Sequence, residues 1–159
     1  MSIIQLQTNI SAPIGICFDL SRSIELHILS TAHTKETVIA GKMSGLCNTG
    51  DTITWRARHF GIYQRLTVMI SDLRYPDYFE DKMVKGAFQS FTHKHNFKPG
   101  KATTLMEDHF EYFTPYGLAG KLFNKIVLYK YMEQLLVTRN NTIKQMAESG
   151  EWKKVLMLR

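Results

Sequence analysis

Apolar and polar side chains alternate over three successive stretches of the chain, Tyr78–Val84, Phe91–Phe97 and Thr104–Thr114. A period of two marks a strand with one buried face. The rows predicted to point inward are Phe79, Asp81 and Met83, then Phe91, His93, His95 and Phe97, then Met106, Asp108, Phe110 and Tyr112. Apolar groups dominate, yet two carboxylates and two imidazoles stand among them. Burying such groups unpaired is costly, so they either pair with one another or face room for a guest. That pattern predicts a lined cavity more than a solid core.

Antiparallel hairpins closed near Val84–Gln89 and Pro99–Ala102 place Asp81 opposite His93 and His93 opposite Asp108. The same register sets Glu80 against Lys94 and Lys94 against Glu107 on the outer face. Opposite charges directly across strands stabilise by a few tenths of a kcal/mol. A slip of one residue would turn Phe79, Met83, Phe91 and Phe97 to the wrong side. The expected inner feature is a polar line Asp81–His93–Asp108 across the sheet.

The remaining elements frame this sheet. Ile3–Ile10 reads as a first strand, and Ser11 with Pro13 as a helix start before the stripe Ile14, Cys17 and Phe18. A second short helix, capped by Ser21 or Ser23, carries Ile24, His27, Ile28 and Thr31 on one side. Thr37–Met43 reads as a strand and Ser44–Asp51 as a loop. Thr52–His59 and Ile62–Leu73 form a hairpin about Phe60-Gly61, with Trp55 and His59 on its inward face. After Thr114-Pro115 a helix runs to about Glu148, stopped at Gly150. Its predicted buried stripe is Leu118, Leu122, Ile126, Tyr129, Met132, Leu136 and Ile143, with Asn140 as a polar exception. At ~1.5 Å per residue such a helix crosses a whole small sheet.

The chain has 159 residues, 44% hydrophobic and 21% charged, which suits one domain with one core. We assign residues 1–150 to that domain and 151–159 to a tail, apolar at Val155 to Leu158, that docks on a partner or frays. No run approaches the ~20 apolar residues of a membrane span, and the N-terminus lacks a signal-peptide pattern. Cys17 and Cys47 form no framework or metal-binding spacing, so a reduced, cytoplasmic setting is expected. The net charge of +6 comes from scattered Lys and Arg. Without a basic block, solvated faces are expected and not a nucleic-acid surface.

The order strand, two short helices, meander, long C-terminal helix resembles the START-like helix-grip (SRPBCC) superfamily. It is similar in particular to the polyketide cyclase/dehydrase-related small bacterial proteins. The resemblance rests on Ala12-Pro13 with Phe18-Asp19, on Gly50-Asp51 leading into Thr54-Trp55, on FEDKMVKG at Phe79–Gly86, and on Pro115-Tyr116-Gly117-Leu118. It covers residues 1–148. It implies an α+β fold in which a curved antiparallel sheet of six or seven strands wraps the long helix and leaves a cavity between them. A fold of this kind says little about chemistry.

The expected function is therefore to bind a small, largely hydrophobic molecule, lipid- or polyketide-like. Trp55, Phe79, Met83, Phe91, Met106 and Phe110 are the expected walls. Asp81, His93, Asp108 and Tyr112 are expected to orient a polar end, with His59, His95, Tyr129 and Asn140 as further candidates. The alternatives are a cyclase/dehydratase-type enzyme with His93 as acid/base tuned by Asp81 and Asp108, and a protein-interaction module using the tail and the basic surface. A polar row that only satisfies itself is the plainer account of the same residues. No cofactor is expected. Metal binding is not expected either, because side chains two apart on one strand stand ~7 Å from each other, at the edge of joint coordination. Cys47 reads as an unactivated loop thiol and His27 as an ordinary helix residue. The oligomeric state is left open.

Overall fold

In the computed structural model, which describes residues 1–157, the alternating stretches become seven strands. They are β1 (Ser2–Ile10), β2 (Thr37–Gly41), β3 (Thr52–His59), β4 (Ile62–Arg74), β5 (Tyr78–Lys85), β6 (Ser90–Pro99) and β7 (Thr104–Phe113). All pair antiparallel in one sheet of order β1-β7-β6-β5-β4-β3-β2. Between β1 and β2 lie α1 (Ile14–Ser21) and α2 (Ile24–Ser30). Ser23 caps α2, accepting a hydrogen bond from the Leu26 amide, whereas Ser11 makes no cap for α1. The β3–β4 turn has positive φ at both Phe60 (52°) and Gly61 (81°). That is the geometry of a two-residue hairpin turn whose twist matches its strands.

The register agrees with expectation for β5 and β6, where Asp81 faces His93 and Glu80 faces Lys94. It differs for β6 and β7, where Asp108 stands opposite His95, not His93, and Lys94 stands opposite His109, not Glu107. The connection is two residues longer than expected: Pro99 pairs with Thr104 instead of Ala102, and the Gly100 amide donates to Thr103 O at 2.7 Å inside the loop. A slip of two residues leaves every side chain on its own face, so alternation alone does not detect it. Glu107 finds Lys98 (2.6 Å) and Gln7 (3.0 Å) instead.

The C-terminal helix begins as α3 (Gly117–Phe123), widens into a π-helical segment at Asn124–Leu128, and continues as α4 (Tyr129–Glu148). Only the later part of the predicted stripe is buried. Leu136 and Ile143 lie in the core and Tyr129 and Met132 are half-buried, but Leu118, Leu122 and Ile126 are 84%, 60% and 68% exposed. Each residue added in a wide turn rotates the helix before it by about 100°. The predicted phase is therefore lost upstream of Tyr129. Asn124 anchors the wide turn, accepting from the Tyr112 hydroxyl (2.6 Å) and donating to Ser2 Oγ (2.8 Å).

The core has two apolar parts. One holds Ile10, Phe18, Phe97, Met106 and Ile143 beneath α1, and the other holds Ile53, Trp55, Phe91, Phe110 and Leu136. Residues Trp152–Leu156 form α5, whose Trp152, Val155 and Leu156 pack against the first part. This departs from the expectation of docking on a partner or fraying. The apolar side chains of α5 find cover on their own chain, and Leu158 and Arg159 lie outside the described residues. Among the described residues, no helix is long and apolar enough to cross a membrane.

Leu136→Ala and Ile143→Ala should each destabilise by about 2–4 kcal/mol, through lost burial and cavity formation. Leu118→Ser, Leu122→Ser and Ile126→Ser should each stay within about 0.5 kcal/mol. Urea unfolding of the five variants checks the helix phase.

Candidate functional site

Inward-facing residues of β3 to β7 meet α2 and α4 around a cavity of about 170 Å³. Its apolar wall includes Ile53, Trp55, Val68, Ile70, Phe91, Phe110 and Leu136. One wall is stiffened by His27 of α2, stacked on Trp55 with ring centroids 4.2 Å apart, its Nε2 3.2 Å from Glu36 Oε2. A polar corner is formed by Asp81 from β5, His93 and His95 from β6 and Arg139 from α4, all of which line the cavity.

Strand alternation turns His93 and His95 to the same face. Both then converge on Asp108, with His93 Nε2 at 3.0 Å and His95 Nδ1 at 2.8 Å from the same oxygen, Oδ1. Their ring centroids are consequently 3.8 Å apart, so the wide separation expected of the two imidazoles does not hold. His95 Nε2 lies 3.1 Å from Asp81 Oδ1. The inner polar line is thus Asp81–His95–Asp108, with His93 reaching Asp108 diagonally. His95 also stacks on Phe79 at 4.1 Å, and His93 sets its edge to Phe110 at 5.2 Å. The polar corner therefore joins the two apolar parts of the core.

The long helix closes this group from above. Asn140 Nδ2 donates to Asp108 Oδ2 at 2.7 Å and to Thr8 Oγ1 at 3.3 Å. Arg139 Nη2 donates to Ser21 O at 2.7 Å, and its Nη1 stands 3.7 Å from Asp108 Oδ1. Three buried atoms here lack a well-aligned partner: His95 Nδ1, Arg139 Nη1 and Asn140 Oδ1. Such groups cluster where solvent, an ion or a ligand completes a site.

Charge in this corner is governed by burial and mutual contact. Burial pushes His93 down to about 4, the neighbouring His95 adds to that, and Asp108 only partly opposes it. Burial works against the Asp108 charge, but hydrogen bonds and positive charge from His93 and His95 hold the carboxyl well below its ordinary range. Asp81 is lowered by the same balance, through its bond from His95. Near neutral pH the corner thus presents two carboxylates and a neutral His93.

Among the expected site residues, Trp55, Phe79, Asp81, Phe91, His93, His95 and Phe110 line the cavity. His59 lines a separate pocket of about 50 Å³, with Nδ1 hydrogen-bonded to Tyr131 Oη at 2.7 Å. Met83 is half-buried beside the wall. Met106 is fully buried near α1, accepting from Ser21 Oγ at 3.4 Å. Asp108 and Asn140 act behind the lining. Tyr112 and Tyr129 direct their hydroxyls to Asn124 and to Ile3 O, away from the cavity. Lining residues missed in the sequence include His27, Cys47, Phe88 and Arg139. Cys47 is buried, not a loop-surface thiol, and burial pushes it up to about 12. Arg139 did carry a signal. It lies three residues after Leu136 and four before Ile143, in phase with the buried stripe.

No family model matches the chain, and no curated protein matches its sequence. Solved structures do match its fold. The protein TTHA0849 from Thermus thermophilus has a TM-score of 0.69 at 16% identity, covering 89% of this chain and 97% of that one. A START superfamily protein from Mycobacterium smegmatis has a TM-score of 0.68 at 12% identity, covering 91% and 98%. A ginseng major latex-like protein from Panax ginseng has a TM-score of 0.63 at 13% identity, covering 92% and 97%. The chain has the START-like helix-grip fold.

Because His93 is held neutral by the fold, the unfolded chain takes up a proton at that position first as pH falls. Stability should therefore drop between about pH 6.5 and pH 4, by up to roughly 3 kcal/mol. Below that range, protonation of the depressed carboxyls of Asp81 and Asp108 adds a further loss. His93→Gln keeps a donor toward Asp108 and should flatten the upper part of the profile. Urea unfolding at several pH values checks this; an unchanged slope would contradict it.

Proposed function

We propose that the protein binds a small, largely apolar molecule in the cavity between sheet and long helix, with a polar end of the guest set against Asp81, His93, His95 and Arg139. The observation that carries this reading is the composition of the cavity wall. It is aromatic and aliphatic over most of its extent and polar at one corner, the usual make-up of a small-molecule site. A self-satisfied polar core would leave every buried donor hydrogen-bonded, yet Arg139, which lines the space, has an Nη1 with no hydrogen bond and only a 3.7 Å approach to Asp108. Structural neighbours with the START-like fold add general support for ligand binding.

The volume of about 170 Å³ suits a guest of single-ring size, since an apolar cavity of about 150 Å³ accommodates benzene. A lipid- or polyketide-like molecule fits this reading if one ring or a short acyl segment is enclosed and the remainder extends out of the cavity. Affinity then comes from the apolar wall at roughly 25 cal/mol per Å² removed from water. Orientation comes from the polar corner. The same corner offers His93 as a proton carrier for a cyclase/dehydratase-type reaction, but its burial and its bond to Asp108 favour positioning over turnover.

Native mass spectrometry of the purified protein, compared with its denatured mass, should show a stoichiometric excess lost on denaturation. Titration with an environment-sensitive apolar dye should reveal a site from which single-ring aromatics and short fatty acids displace it. Val68→Phe, placed to fill the cavity, should weaken that binding about tenfold or more while the thermal transition is retained. Absence of both a bound mass and displaceable dye would overturn the proposal.

A further inference from the structure

We propose that Asp81, His93 and His95 form a binding site for a divalent transition-metal ion of the zinc class, with an open coordination position facing the cavity. One nitrogen from each imidazole and one carboxylate oxygen of Asp81 lie within 4.8 Å of one another. An ion bonded at about 2.0–2.2 Å to each draws such a set together by roughly 1 Å. The closest pair already stands at the required spacing. His95 Nε2 and Asp81 Oδ1 are 3.1 Å apart, close to the separation of two ligands around one such ion, about 3.0–3.5 Å. Two imidazoles and a carboxylate are a donor set for zinc, iron(II) and cobalt(II) and a poor one for calcium or magnesium.

The hydrogen inventory at His95 points the same way. Its two ring nitrogens lie 3.1 and 2.8 Å from oxygens of two different carboxylates, Asp81 and Asp108. A neutral imidazole carries one N–H and one lone pair. In that form one of these contacts sets a lone pair against a carboxylate oxygen, whereas the protonated ring donates to both. A metal ion between His95 Nε2 and Asp81 takes the place of the proton there: the Nε2 lone pair binds the ion, and Nδ1, 2.8 Å from Asp108 Oδ1, keeps its proton on that side. Asp108 is thereby the outer partner of His95, and through its 3.0 Å bond to His93 Nε2 of His93 as well, which leaves His93 Nδ1 as the ligating atom. Metal-bound imidazoles commonly give their other N–H to a carboxylate in this manner. Asn140 holds Asp108 in place from the helix at 2.7 Å.

Access is also suited. Asp81 is the partly accessible member of the set, with 17% of its side chain exposed against 1% for His95. An ion can therefore enter from the cavity and keep a position open on that side. Arg139 donates to Ser21 O and stands 3.7 Å from Asp108 Oδ1, and because its charge also reaches Asp81 an incoming ion competes with it. This inference stands apart from the proposed guest, because metal uptake is measured with no organic ligand present.

The test is calorimetric titration of chelator-stripped protein with Zn²⁺, together with the visible ligand-field spectrum of its Co²⁺ form. One ion per chain is expected, with Kd at or below about 1 μM and a Co²⁺ spectrum of mixed nitrogen and oxygen ligation. Asp81→Asn and His95→Asn should each weaken binding by roughly 100-fold, and Asp108→Asn by about 10–100-fold. Thermal unfolding reports whether each variant folds. Where one does not, histidine-ring NMR of the wild-type protein replaces it, and Zn²⁺ should shift the His93 and His95 resonances. No uptake at 100-fold higher Zn²⁺, uptake unaffected in folded variants, or shifts confined to His33 and His109 would overturn the proposal.

Discussion

A single buried carboxylate organises the interior. Asp108 is 3% exposed, and its charge survives burial only because partners surround it. Those partners come from three places: the imidazoles of His93 and His95 on β6, the Asn140 amide on α4, and the Arg139 guanidinium beside it. Sheet register and helix rotation are thereby coupled. Shifting β6 by two residues along β7 would cost no apolar burial, but it would move His95 out of reach of Asp108. Turning α4 by one residue would withdraw Asn140.

The same interaction divides the core. Phe79 stacks on His95 and belongs to the part beneath α1, while Phe110 meets His93 and belongs to the part around the cavity. In the first part Phe18 contacts Tyr75, Phe79 and Phe97 edge-on. The second part retains free volume. Aromatic rings on the sheet side of that space face Met132 and Leu136 on the helix side. The polar corner lies at the boundary, anchored by the first part and open to the second.

The wide turn at Asn124–Leu128 has a related effect at the opposite end of the helix. Once Tyr112 and Ser2 fix Asn124, the preceding residues no longer follow the phase set by Leu136 and Ile143. Leu118, Leu122 and Ile126 then face outward alongside Lys121 and Lys125. The chain between Pro115 and Gly120 is correspondingly tight, and a Cβ at Gly120 would collide with Pro115 O. Only glycine permits that approach.

Strand identity, the inward faces and the order of elements were legible in the sequence, because a period of two or of 3.6 is a local property of the chain. Asp81, His93, His95 and Asp108 could be placed on one buried face for that reason. Which carboxylate met which imidazole was not legible, since registers two residues apart bury the same side chains. The convergence of both rings on one oxygen, the recruitment of Arg139, and the burial of Cys47 depended on contacts between residues far apart in the chain. The helix stripe failed upstream of Tyr129 because a tertiary hydrogen bond outweighed the local period. Sequence determined the faces; loop closure and the demand of a buried charge for partners decided how those faces met.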